Sequence, residues 1–138
     1  MEFESSEWTP ASEYNFKIPS EFDQVFYFEG TYAVRKGNIL RLQDLIEEAR
    51  THYYEALIVA KEMNNARLEA IIIGNFGNLH LDQGEYFESI KYYNKAKKIF
   101  STEADKVSEA RMLNGIGAIN SRIGNNDIAL IHYEEALN

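Results

Sequence analysis

The sequence repeats itself at a spacing of forty residues. The stretch NFGNLHLDQGEYFESIKYYNKAKKIF covers residues 75–100, and a related stretch, NGIGAINSRIGNNDIALIHYEEALN, covers residues 114–138. Gly77 and Gly117 occupy matching places in the two stretches. A period of this length is typical of proteins built from stacked copies of one structural unit, each of which buries its apolar face against the next.

Apolar residues recur in steps of three and four, as they do on one face of an α-helix. Both prolines, Pro10 and Pro19, lie near the start, so no proline interrupts a helix from residue 22 onward. Glycines in the stretches RKGN, LDQGEY and RIGNND stand where the helical pattern breaks, which indicates turns. The sequence therefore predicts helices at 22–36, 38–62, 65–82, 86–100, 104–123 and 127–137.

Small and large residues also alternate at fixed offsets in the two stretches, which a simple amphipathic hairpin does not require. The matched pairs are Ile73 with Leu113, Phe76 with Ile116, Gly77 with Gly117, His80 with Asn120, Ser89 with Ala129, Tyr93 with Tyr133 and Ala96 with Ala136. This arrangement resembles the tetratricopeptide repeat, whose first helix follows W-x2-L-G-x2-Y and whose second helix contains A-x3-F.

The resemblance covers about residues 22–138, and its forty-residue period is similar to that of the long-helix variant of the family. It implies an all-α fold in which three antiparallel helix hairpins stack as a right-handed solenoid. The expected domains are a flexible acidic and aromatic tail at 1–21 and a three-unit domain at 22–138, with units at 22–63, 64–102 and 103–138.

The first unit fits the repeat pattern less well than the other two. Its first helix aligns through Gly30, and twelve residues then separate the turn glycine Gly37 from the small residue Ala49. In each later unit the corresponding distance is five residues. Seven additional residues make about two helical turns, so we expect a turn at Gly37 and an overlong second helix at 38–62.

No residue pattern indicates a catalytic or metal site. The chain has no cysteine, which excludes disulfides, thiolate zinc ligands and cysteine catalysis. His52, His80 and His132 lack the spacing of metal ligands, and we interpret them as surface or partly buried residues. The glycines follow an apolar helical run rather than a strand, unlike those of a phosphate loop. We expect no enzyme activity, no metal and no cofactor.

The charge distribution argues against nucleic acid as a partner. Of the net charge of −8, residues 1–29 contribute −6, with seven acids against the single base Lys17. The largest basic cluster is KAKK at 95–98, which is too small to follow a phosphate backbone. The chain shows neither a signal-peptide pattern nor an apolar segment of about 18 residues. We expect a cytoplasmic protein that binds neither nucleic acid nor membranes.

The family resemblance implies a concave groove, lined by the first helices of the units, that holds an extended peptide or a helix of a partner protein. Arginine and asparagine at groove positions suit carboxylates and peptide amides, so we predict a protein-interaction scaffold for an acidic partner or a C-terminal carboxylate. The alternative is a solvated face without a ligand. The expected groove residues are Gln24, Tyr27, Thr31, Arg35, Ile71, Gly74, Asn78, Leu81, Asp82, Arg111, Asn114, Ala118, Ser121 and Arg122.

Chaperone-binding members of the family carry a Lys–Asn pair where this chain has Tyr27 and Thr31, so a receptor for chaperone tails is disfavoured. Two other functions remain open: a peptide-sensing regulatory domain of a signalling or transcription-control protein, and a self-assembling structural module. The last helix, 127–137, is apolar enough to need a neighbour, and no capping helix follows it in this sequence. We expect either a fragment of a longer array or self-association through that helix. The tail at 1–21 could itself lie in the groove as a competitor.

Overall fold

The computed structural model describes the backbone of residues 20–138 and the side chains from residue 30 onward, so the predicted tail lies almost wholly outside the described residues. Successive helices of this range pack as three hairpins, and the second helix of each of the first two hairpins also contacts the first helix of the next. The predicted all-α stack of hairpins is therefore confirmed. The helices are α1 Ser20–Leu42, α2 Ile46–Glu62, α3 Ala66–Asp82, α4 Tyr86–Thr102, α5 Lys106–Arg122 and α6 Asn126–Leu137.

Residues with positive φ end the helices at regular intervals. Within the hairpins these residues are Asp44, Gly84 and Gly124, with φ of 61°, 74° and 88°; between the hairpins they are Asn64 and Ala104, with φ of 53° and 57°. Glycine, asparagine and aspartate reach this left-handed conformation at low cost, whereas Ala104 adopts it at a cost of about 1 kcal/mol. The predicted turns at Gly84 and Gly124 are confirmed.

The predicted turn at Gly37 and the overlong helix at 38–62 are wrong. Helix α1 continues through Gly37 to Leu42, and α2 has 17 residues, the same length as α3, α4 and α5. A Cβ atom added to Gly37 would lie 2.6 Å from the ring of Tyr53, so this glycine makes room for a side chain rather than for a turn. The turn falls at Asp44, forty residues before Gly84.

The same glycine–tyrosine contact holds each hairpin together. A Cβ atom on Gly77 would lie 2.7 Å from the ring of Tyr93, and one on Gly117 would lie 2.9 Å from the ring of Tyr133. In the middle hairpin the buried Ser89 hydroxyl also donates a 2.8 Å hydrogen bond to the carbonyl oxygen of Gly77. Close approach of the two helices therefore depends on small residues at these positions, as the repeat pattern predicts.

Side-chain caps fix the start of α3 and of α5. The Asn65 side-chain oxygen accepts a 3.0 Å hydrogen bond from the backbone N–H of Leu68, and Asp105 accepts from the backbone N–H and hydroxyl of Ser108. The Arg67 side chain donates to Asp105 at 2.8 Å, which joins the second hairpin to the third. These contacts, those of Ser108 first, hold the pKa of Asp105 below its usual value.

An aromatic cluster fills the junction between the first two hairpins. Phe76 lies at its centre, with ring centroids 5.5 Å from Tyr53, 4.9 Å from Tyr54 and 5.9 Å from Tyr92, and Tyr92 stacks on His80 at 5.0 Å. The next junction is mainly aliphatic: Tyr93 packs there with Ile116 and Ile119, and with the partly buried Met112 among others. The second helix of each of the first two hairpins is thus covered by the first helix that follows it.

Candidate interaction groove

The corrected forty-residue register defines which face of the first helices carries the predicted groove positions. We call this the first-helix face. Among the predicted residues, Thr31, Asn78, Asp82, Arg111, Asn114, Ser121 and Arg122 keep their places on it, and the register adds Asn38 and Arg41. Equivalent residues of the three hairpins, forty residues apart, form rows across this face. The rows in the described chain are Thr31, Ile71 and Arg111; Val34, Gly74 and Asn114; Asn38, Asn78 and Ala118; Arg41, Leu81 and Ser121; and Leu42, Asp82 and Arg122.

Of the remaining predicted residues of the first unit, only Arg35 has a described side chain, and it leaves this face. The side chain of Tyr27, like that of Gln24, lies outside the described residues. Arg35 is exposed and falls in the row of Gly115, where an added Cβ atom would lie 3.1 Å from the ring of Tyr93 in the preceding hairpin. Arg35 therefore belongs to the side of the first hairpin on which a preceding unit would pack.

Arg41 and Asp82 form an ion pair across the first-helix face, with 2.7 Å between the Arg41 Nη1 and Asp82 Oδ2 atoms. Their side chains are 19% and 35% exposed, so the pair is partly shielded from water. Burial lowers the pKa of Arg41, but the hydrogen bond and charge of Asp82, with a contribution from Tyr53, outweigh it, so the net shift is upward. Asp82 thus neutralises the one arginine that the first hairpin places on this face.

Two asparagines on the first-helix face bind tyrosine hydroxyls from within the fold. The hydroxyl of Tyr53 donates to Asn38 Oδ1 at 2.5 Å, and that of Tyr93 donates to Asn78 Oδ1. Burial raises the pKa of both tyrosines. The oxygen of Asn78 is therefore occupied, whereas its amide group makes only a 3.4 Å contact with Asn75 and can donate to a ligand.

The third hairpin presents polar side chains that are exposed and make no hydrogen bond or ion pair with the rest of the described chain. Two of them, Arg111 and Asn114, also line a hollow of about 570 Å³ beside Leu113 and Leu137. All four are predicted groove residues, and the forty-residue register leaves them on the first-helix face. The side chains concerned are Arg111, Asn114, Ser121 and Arg122.

The described residues show no arrangement suited to metal chemistry. Between residues 30 and 138, no three His, Asp or Glu side chains come together in a way that could hold a metal ion. His52 lies 3.3 Å from Glu55, and His80 lies 3.3 Å from Glu85 while stacking on Tyr92. Within the same range, none of the helices has the length and apolarity needed to span a membrane.

Comparison with known proteins supports the repeat pattern. Residues 67–138, more than half of the chain, match the sequence model of the tetratricopeptide repeat. The solved structure of the TPR domain of Arabidopsis FLU is similar, with a TM-score of 0.71 and 20% sequence identity over 81% of this chain and 94% of that one. At this level of identity the likeness concerns the fold alone. No curated protein sequence matches the chain.

Proposed function

The chain belongs to the tetratricopeptide repeat family, and on that premise we propose that its first-helix face binds an extended peptide that carries carboxylate groups. Domains of this family generally mediate protein–protein interactions and are typically non-enzymatic. The proposed role is a scaffold that holds a partner protein through an acidic segment or through its C-terminal carboxylate.

The observation that carries this proposal is which arginines of the first-helix face have an ionic partner within the fold. Arg41 is neutralised by Asp82, whereas Arg111 and Arg122 are exposed and have no ionic partner among the described residues. A guanidinium group presents a planar set of donors that fits a carboxylate with two parallel hydrogen bonds. Within a chain of net charge −8, two such groups on one face are suited to an acidic ligand.

The spacing of these arginines suggests how long the ligand is. Arg111 and Arg122 are eleven residues apart on α5, which is close to three helical turns, so both point to the same side and are separated by about 16 Å along the axis. About five residues of extended peptide cover that distance. We propose that two carboxylates about five residues apart bind the arginines, while Asn114 hydrogen-bonds the peptide backbone between them.

Binding of synthetic peptides tests the proposal. The probes are peptides with two carboxylates five residues apart, one of them the C-terminus, made both as the free acid and as the C-terminal amide. We expect the double substitution Arg111→Ala with Arg122→Ala to weaken free-acid binding at least about tenfold by fluorescence anisotropy, which corresponds to about 1.4 kcal/mol. The matched control is Lys91→Ala with Lys98→Ala, which removes two exposed charges from α4.

Two results would overturn the proposal. One is an arginine variant that binds as tightly as the wild type; the other is an equal loss in the lysine control, which would show that only net charge matters. Asp82→Asn provides a further arm, because it releases Arg41 from its ion pair. We expect this variant to bind the acidic peptide several-fold more tightly than the wild type.

A second candidate function, self-assembly, is favoured by the exposed apolar side of the last helix. Ile131, Leu130 and Leu137 of α6 are 54%, 58% and 88% exposed in the described chain. Apolar side chains grouped in this way are typical of protein contact surfaces. This candidate does not require the arginines of the first-helix face, so the two functions can be tested independently.

A further inference from the structure

The first hairpin exposes a surface that is buried in the hairpins that follow. Tyr32 and Ile39 of α1 are 67% and 57% exposed, whereas the equivalent residues of α3, Ile72 and Leu79, are fully buried against the preceding hairpin. No helix among residues 30–138 covers this side of α1. We call it the leading face, and its residues are Tyr32, Arg35, Lys36 and Ile39.

The last hairpin exposes the side of its second helix that, in the earlier hairpins, is covered by the following helix. Tyr93 of the middle hairpin is 4% exposed because α5 covers it, whereas its equivalent Tyr133 is 37% exposed and Leu130 is 58% exposed. In the described chain this side of α6 has no helix packed on it. We call it the trailing face, and its residues are Asp127, Leu130, Tyr133, Glu134 and Leu137.

The two faces are complementary in charge at positions where the internal junctions have none. Lys36 is exposed on the leading face, and its equivalents in the later hairpins are Phe76 and Ile116. Glu134 is exposed on the trailing face, where the equivalents in α2 and α4 are Tyr54 and Asn94. Each face therefore carries a charge of its own at a position that is neutral inside the stack.

The internal junction indicates how these charges would meet. Tyr54 lies with its ring centroid 4.9 Å from that of Phe76 in the contact between the first and second hairpins. Glu134 is the residue two repeats after Tyr54, and Lys36 is the residue one repeat before Phe76. Where the third hairpin of one copy is followed by the first hairpin of another, these two residues take the places of Tyr54 and Phe76. A trailing face set on the leading face of another copy thus brings a carboxylate and an ammonium group together.

We propose that copies of this chain associate head to tail, with the trailing face of one copy packed on the leading face of the next. Lys36 then pairs with Glu134 of the neighbouring copy, and Tyr133 of that copy enters the hollow of about 270 Å³ beside Lys36, His52 and Glu55. At the internal junction the equivalent place beside Phe76 is taken by the ring of Tyr53. The contact continues the solenoid from one molecule into another.

This contact has two consequences. It is heterologous, so every assembly keeps a free leading face at one end and a free trailing face at the other, and assemblies grow with concentration instead of stopping at a closed dimer. The contact joins two opposite charges, so association also weakens as salt is added. The contact does not involve the first-helix face, and peptide binding there can fail without affecting it.

Charge reversal tests the proposal on the full 138-residue chain by sedimentation velocity over a range of concentrations. Lys36→Glu places two acidic groups at the contact, and Glu134→Lys places two basic groups there. We expect each variant alone to associate at least about tenfold more weakly than the wild type. An equimolar mixture of the two variants restores opposite charges at every contact, so we expect it to associate like the wild type.

The matched control is Lys91→Glu, which makes the same charge change at an exposed site on α4 and should leave association unchanged. A wild-type chain that stays monomeric at all concentrations would overturn the proposal. So would a mixture that associates no better than its separate components, or a Lys36→Glu variant that associates like the wild type. Circular dichroism confirms that each variant is folded, since both substituted side chains are exposed.

Discussion

Tyr93 and Tyr133 occupy the same place in the middle and last hairpins, and their surroundings differ. The ring of Tyr93 fills the space beside Gly77, its hydroxyl donates to Asn78, and α5 covers it so that 4% of the residue is exposed. Tyr133 fills the space beside Gly117, but it is 37% exposed. The row that provides Asn78 in the middle hairpin provides alanine in the last one.

The difference between the two tyrosines shows that two separate contributions determine the surroundings of a residue in the repeat. The repeat pattern determines which side chain enters the space between the two helices of a hairpin, because that contact lies within one unit. The following unit determines how much of that side chain is removed from water. Stability is therefore a sum of terms within units and terms between neighbours, and the second kind is missing where the described chain has no next helix.

The largest expected effect is that of removing each tyrosine side chain. Tyr93→Ala leaves a cavity between α3, α4 and α5, and we expect it to lower the free energy of unfolding by about 4 kcal/mol. Tyr133→Ala removes a ring that water already reaches, and we expect a loss of about 1–2 kcal/mol. Urea denaturation followed by circular dichroism measures both. Equal losses would show that the following helix contributes little.

The second expected effect concerns the glycines that face these rings. A Cβ atom on Gly77 would meet ring atoms of Tyr93 at 2.7 Å, and Tyr93 has no room to move. We expect Gly77→Ala to destabilise the protein by about 1–2 kcal/mol, the cost of overpacking less the gain in helix propensity.

Gly117→Ala is the matched change. Its Cβ atom would lie 2.9 Å from the ring of Tyr133, which can shift toward solvent. The gain in helix propensity of about 1 kcal/mol then offsets the contact, so we expect a change close to zero. A thermal melt of each variant gives the comparison, and a Gly117→Ala protein as unstable as Gly77→Ala would contradict it.

The middle and last hairpins could be predicted from the sequence because their pattern and turn glycines agree. The first hairpin could not, because Asp44 takes the place of the turn glycine while Gly37, which makes room for Tyr53, resembles one. Without a glycine at the true turn, the predicted turn falls at Gly37, seven residues before Asp44. Seven residues are about two helical turns, so this shift leaves the apolar stripe of the helix nearly in phase. The exact forty-residue spacing of Tyr53 from Tyr93 was the signal that identifies the correct register.

The candidate site was predictable to the same extent. Residues of the second and third hairpins kept their places on the first-helix face, since their register was correct. The ion pair of Arg41 with Asp82 could not be predicted, because it joins two hairpins and depends on the register of the first. The exposure of Tyr133 likewise depends on a neighbouring helix and not on its own repeat pattern.

The smallest expected effect distinguishes the hydroxyl groups of the two tyrosines. Tyr93→Phe removes the hydrogen bond to Asn78, and we expect a loss of about 1 kcal/mol at neutral pH. Tyr133→Phe removes a hydroxyl group that makes no hydrogen bond within the described residues, and we expect a change below about 0.5 kcal/mol. Denaturant titrations of both variants at neutral pH give these values.

The pH dependence sharpens this test of Tyr93. Burial raises the pKa of its phenol above the value of about 10 for an unfolded chain, so the folded state favours the neutral form. The stability that depends on this group is complete below pH 10 and is lost as the pH rises through the folded-state pKa. The Tyr93→Phe variant lacks this phenol and cannot lose its contribution to stability, while Tyr53 contributes equally to the variant and to the wild type. The 1 kcal/mol deficit of the variant should therefore shrink above about pH 10, and a deficit that stays constant to the alkaline end of the titration would show that the pKa of Tyr93 is the same in the folded and unfolded chains.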